Sequence, residues 1–133
     1  QRLQAEIEER RLIEAAVRRS AGWLSQIIET MSSGILLWDR EQRLAVWNRA
    51  FGRVYPASAE LLHVGLARDT LIQGMIARGE FGVAEDGCGD WDALGIWERR
   101  LADGRIIRIE RLVTSEGGRL ALHTDITDQH RTN

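Results

Sequence analysis

One cysteine, Cys88, and one proline, Pro56, are all that 133 residues offer of each. A single thiol excludes an internal disulfide and a cysteine-rich zinc or iron–sulfur site. Apolar runs are short: none approaches the roughly 20 residues that span a bilayer, and the opening Gln-Arg-Leu-Gln is unlike a signal peptide. The chain is therefore expected to be cytoplasmic, with no direct membrane contact in this stretch, and to be a piece of a longer protein. Net charge is only −2, so no global basic field draws nucleic acid. Chemistry is also scarce. His63, His123 and His130 form no Ser–His–Asp or metal-ligand spacing, which gives no catalytic residue, no metal site and no enzyme in this fragment. Gly82, Gly87 and Gly89 lack the nearby lysine that a phosphate loop requires.

Residues 34–51 organise what is present. Ile35–Trp38 and Leu44–Trp47 are short runs of strand formers on either side of the polar break Asp39–Arg43, the pattern of a hairpin. Asn48 stands where a helix N-cap belongs, its side-chain oxygen able to accept from an orphan backbone N–H one turn ahead.

Upstream, residues 1–21 contain neither Gly nor Pro and are rich in helix formers. Leu3, Glu6, Arg10, Ile13, Val17, Ser20, Leu24, Ile27 and Met31 alternate by three and four, the spacing of a coiled-coil seam. Unbroken to residue 31, such a helix is about 45 Å long. Gly22 is a natural place for a bend, and Ser32-Ser33-Gly34 is expected to stop the helix through a left-handed glycine. The row fits a homodimer seam or an amphipathic helix folded back on its own sheet.

Downstream, Ala50, Phe51 and Val54 give a short helix closed by Pro56, a single turn over 58–62 follows, and Asp69 is expected to cap a helix ending at Gly79. After the glycine-rich stretch 80–90, three strands are expected at 94–101, 106–114 and 119–126, separated by Asp103-Gly104 and Gly117-Gly118. The fold class is α+β, a five-stranded antiparallel sheet with helices on one face. Alternation puts Ile107, Ile109 and Arg111 on the helical side as a candidate ligand pocket, with Arg108 and Glu110 opposite. A buried Arg111 needs an anionic partner, either a ligand carboxylate or an acid from residues 80–92; a one-residue slip would instead put it in water. Trp38 and Trp47 are expected on the outer sheet face, meeting residues 23–31.

The order of elements, with Leu36-Leu37-Trp38-Asp39, Trp47-Asn48-Arg49-Ala50-Phe51, Arg100-Leu101-Ala102-Asp103-Gly104-Arg105 and Asp125-Ile126-Thr127, resembles the PAS family of bacterial sensor domains, in the variant common in sensor histidine kinases. The resemblance covers about residues 24–127. It implies a strand order of 2-1-5-4-3, a dimerisation helix at 1–31, a PAS domain at 32–127 and an outgoing linker from 128 to 133. In family terms Asp125 and Thr127 fasten the last strand to that linker, which leads to an output domain in the same chain. His63 precedes the helix on which some relatives carry a heme ligand, and Cys88 lacks the Asn-Cys-Arg-Phe-Leu-Gln setting of flavin photosensors, so neither heme nor flavin is expected and no small ligand is identified. The function implied is signal sensing and relay by a homodimer built on Leu3, Ile13, Val17, Leu24, Ile27, Met31, Trp38 and Trp47. Alternatives are a small-molecule receptor, a constitutive dimerisation or docking module, and a regulator of a cyclic-di-nucleotide enzyme.

Overall fold

Helix α1 runs unbroken over Arg2–Thr30. The computed structural model describes residues 2–81 and 90–132, and the chain divides into two compact units, Gln1–Met31 and Ser32–Asn133. Gly22 does not interrupt α1: one helix-interior glycine weakens the helix by about 1 kcal/mol, which the helix formers on both sides absorb. Among the described residues no helix is long and apolar enough to cross a membrane.

The second unit opens with β1 (Gly34–Trp38) and β2 (Leu44–Trp47), an antiparallel hairpin. Its turn is held by Asp39, whose Oδ1 accepts from the Glu41 and Arg43 amides at 2.9 and 3.0 Å. Helix α2 (Arg49–Val54) follows, then a 3₁₀ helix over Pro56–Leu61 and helix α3 (Arg68–Ala77). The N-cap of α3 is Ala67, and Asp69 lies inside the first turn. There it complements the positive end of the helix dipole without capping it. Strands β3 (Gly95–Arg100), β4 (Ile106–Val113) and β5 (Arg119–Asp125) form an antiparallel meander, and α4 (Thr127–Thr132) leaves it. The sheet order is β2-β1-β5-β4-β3, as the resemblance implied. The glycine-rich stretch and Cys88 fall at 82–89, outside the described residues.

Gly34 acts differently from the helix stop expected of it. It is the first residue of β1, and a Cβ there would lie 2.7 Å from Phe51 Cα. Only a bare Cα lets β1 approach α2 this closely. The core then forms between the inner sheet face (Leu36, Trp38, Leu44, Ile107, Ile109, Ala121) and the helices that supply Phe51, Val54, Tyr55, Leu71 and Met75.

Candidate functional site

Asn48 anchors one end of the inner face. It is 1% exposed, and its Oδ1 accepts from the Phe51 amide at 3.2 Å, the cap its position predicts, and also from the Ile35 amide at 2.9 Å. Its Nδ2 donates to the Ser33 carbonyl at 2.9 Å. One side chain therefore ties the entry to β1 and the start of α2 together, with donor and acceptor both satisfied.

Beyond this corner a cavity of about 410 Å³ opens between the inner face and α3. Leu36, Trp38, Phe51, Leu71, Met75 and Ile109 supply apolar wall, and Arg68, Arg111, Arg119, Trp91 and His123 supply polar wall. Helix α3 turns Arg68, Leu71 and Met75 inward together, the three-and-four spacing of one helix face. In the sheet, Arg111 pairs with Ala121 and Val113 with Arg119, so both arginines project from the inner face on adjacent strands.

The guanidinium groups also hold the chain entering β3. Arg111 donates to the Asp90 carbonyl at 2.6 Å and to the Ala93 carbonyl at 3.3 Å. Arg119 donates to the Trp91 carbonyl at 3.1 Å and to Asp92 at 3.3 Å. Trp91 has Arg68 5.7 Å and Arg119 5.1 Å from its ring centroid, and Arg111 lies 5.3 Å from that of Trp97. These are cation–π distances. Arg111 thus takes the inward register, and one partner described for it in residues 80–92 is the Asp90 backbone carbonyl.

His123, 7% exposed, shares a 2.9 Å hydrogen bond with the Tyr55 hydroxyl through Nδ1 and packs edge-on against Phe51. Burial, with a smaller contribution from the Arg111 charge, lowers its pKa from 6.5 to about 3. Desolvation disfavours the imidazolium, so the ring is neutral around pH 7. His63 is exposed in the connector before α3. Among the described residues no group of three or more His, Cys, Asp or Glu is placed to hold a metal.

Of the other residues singled out in the sequence, Ile107 and Ile109 are buried core at 0% and 1%. Ile109 lines the cavity and Ile107 does not. Trp38 and Trp47 correct the expectation of an outer-face patch. Trp38 is 5% exposed in the core cluster, and Trp47, paired with Leu36, packs against the same cluster. Alternation fixes which residues share a face but leaves open which face the helices cover. The outer face carries Ile35, Leu37, Val46, Leu120 and Leu122 instead, with Arg108 and Glu110 in an ion pair at 3.1 Å. Leu3, Ile13, Val17, Leu24 and Ile27 are exposed on α1, and Met31, just past its end, is half-buried.

At the exit, Asp125 Oδ1 accepts from the Thr127 amide at 2.9 Å and from the Thr127 hydroxyl. The same hydroxyl oxygen accepts from the Ile106 amide at 3.0 Å. Thr127 therefore joins the start of α4 to the start of β4. Arg68, Trp91, Arg119 and the Tyr55–His123 pair escaped sequence reading. For Arg119 and His123 the alternation Arg119, Ala121, His123 held the signal; for Arg68, at the first position of a helix, there was none.

A sequence-family model described as the PAS fold matches residues 28–133. The chain is 32% identical over 123 residues to the Non-motile and phage-resistance protein of Caulobacter vibrioides, covering 92% of this chain and 14% of that protein. It thus spans about one-seventh of that relative's length. Among solved structures, the PAS domain of an HTR-like protein from Haloarcula marismortui is 16% identical, with 87% of this chain and 99% of that one covered and a TM-score of 0.49. A domain of a sensory box sensor histidine kinase/response regulator from Geobacter sulfurreducens is also 16% identical, with 82% and 96% covered and a TM-score of 0.49. With the family match covering all five strands, and those strands in the order 2-1-5-4-3, this chain belongs to the PAS fold family.

Proposed function

We propose that the chain is a signal-sensing and relay module of a larger bacterial sensor histidine kinase, working as a homodimer joined along α1 and the outer sheet face. The observation that carries the reading is the exposed apolar row on α1. Leu3, Ile13, Val17, Leu24 and Ile27 are between 56% and 70% exposed at seam spacing. Helices in proteins gain most of their stability from packing an apolar face, and a second copy of the same helix offers a matching one. The outer sheet face has exposed apolar residues of its own, Ile96 and Leu112. The kinase setting rests on the Trp47-Asn48-x-x-Phe51, Asp103-Gly104-Arg105 and Asp125-Ile126-Thr127 motifs. Output leaves through Asp125 and Thr127 into α4 and a domain beyond it. Sedimentation equilibrium tests the dimer: the chain should run as two copies, and I13E/V17E as one with its circular dichroism unchanged. A monomeric parent chain would overturn the reading.

A small-molecule receptor is the second reading, favoured by the cavity. The two are compatible, because an occupant that prefers one of two sheet or helix arrangements shifts the population between them.

A further inference from the structure

We propose that α1 docks in parallel on a second copy of itself through either of two overlapping seams, set apart by a rotation of about 50° about the helix axis, half the roughly 100° turned per residue. The inference deepens the homodimer reading above and rests on it. One row is common to both seams. Leu3, Arg10, Val17 and Leu24 recur every seven residues along a helix that runs without a break over Arg2–Thr30, and Met31 continues the row just past its end. A two-stranded seam needs a second row, three or four residues further on. Three residues on lie Glu6, Ile13, Ser20 and Ile27; four residues on lie Ile7, Glu14, Ala21 and Ile28.

These two second rows are closely matched. Each holds two isoleucines, one glutamate and one small residue. Their differences oppose one another: alanine is the more apolar small residue, but Glu6 lies nearer the helix N-terminus, where the dipole favours a carboxylate. Ile7 and Ile13, one from each row, are both exposed, so both rows stay open to a partner along this part of the helix.

Charge complementarity points to the same pair of settings. In a parallel pair Arg10, on the shared row, turns toward the partner in either seam. Glu6 stands four residues before it and Glu14 four residues after. The guanidinium therefore finds a carboxylate in the adjoining layer whichever seam forms. Glu14 also reaches Arg18 on its own helix at 3.8 Å, but both side chains are exposed and such a pair is weak enough to give way. Two settings of similar quality make the dimer bistable, and a small bias on α1 moves the population between them.

Disulfide trapping in the whole chain, with Cys88 replaced by serine, reads the seams through two adjacent small residues, Ser20 and Ala21. Because a disulfide needs Cα atoms about 4.4–6.8 Å apart, oxidation should link S20C/C88S and A21C/C88S at rates within about threefold of each other, and A16C/C88S, on the opposite helix face, at least about tenfold more slowly. Adding E6L should tilt the ratio several-fold toward S20C, and adding E14L several-fold toward A21C. Rapid linkage at only one of the two positions, equal linkage at all three, or a ratio that neither leucine moves would overturn the two seams while leaving the dimer intact. A parent chain that sediments as a monomer would overturn the dimer reading and this inference with it.

Discussion

The inner face of the sheet buries polarity in two ways. At the Asn48 corner a neutral amide is 1% exposed and bound to backbone groups of Ser33, Ile35 and Phe51. Along the opposite wall, guanidinium groups from α3, β4 and β5 face a cavity of about 410 Å³. A satisfied neutral amide specifies one geometry and rigidifies it. Buried charge carries a desolvation penalty that its hydrogen bonds and ring contacts have to offset. The first draws on backbone groups near it in the chain, and the second gathers side chains from three distant elements.

The largest effect expected in breaking this contrast is at Asn48. Asn48→Ala removes the cap and leaves two buried amides and a carbonyl without that partner, which should lower unfolding free energy by roughly 3 kcal/mol in denaturant titration. His123 lies between the two regions, paired with Gly34 on one side and Ile109 on the other. Its folded pKa is depressed, so as pH falls below 6.5 the unfolded chain takes up a proton that the folded one refuses until about pH 3. Stability is fully present above pH 6.5 and should fall by about 1.4 kcal/mol per pH unit below it from this group. His123→Gln should lack that component in parallel melts from pH 7 to pH 4. The smallest effect is on the charged wall. Arg111→Met loses hydrogen bonds to Asp90 and Ala93 but also relieves a buried charge, and should cost only about 1 kcal/mol at pH 7. It should also raise the His123 pKa, since the Arg111 charge helps to lower it. A loss at Arg111 as large as that at Asn48 would make the wall structural and erase the contrast.

The same contrast marks how far the sequence could be read. The Asn48 corner was legible because capping is local: a hairpin, a polar residue and a helix start are consecutive in the chain. The five strands and the inward register of Arg111 followed from alternation and turn dipeptides for the same reason. The charged wall was half legible, since Arg68 reaches it from a helix N-terminus 43 residues before Arg111, a proximity that tertiary packing alone creates. Trp38 and Trp47 failed on the side of the sheet, which is decided by where α2 and α3 land. Gly34 was misread because a glycine after a helix has two uses, and the close approach of Phe51 is invisible in one dimension.

Thr127 ties β4 to α4 at one point. The strand is bonded at its first residue, Ile106, to the first residue of the outgoing helix, and five residues later it presents Arg111 to the cavity. That interval is about 17 Å of extended chain, paired on both sides and containing neither glycine nor proline. The cavity-lining Arg111 and the first turn of α4 therefore sit at the two ends of one continuously paired span of strand.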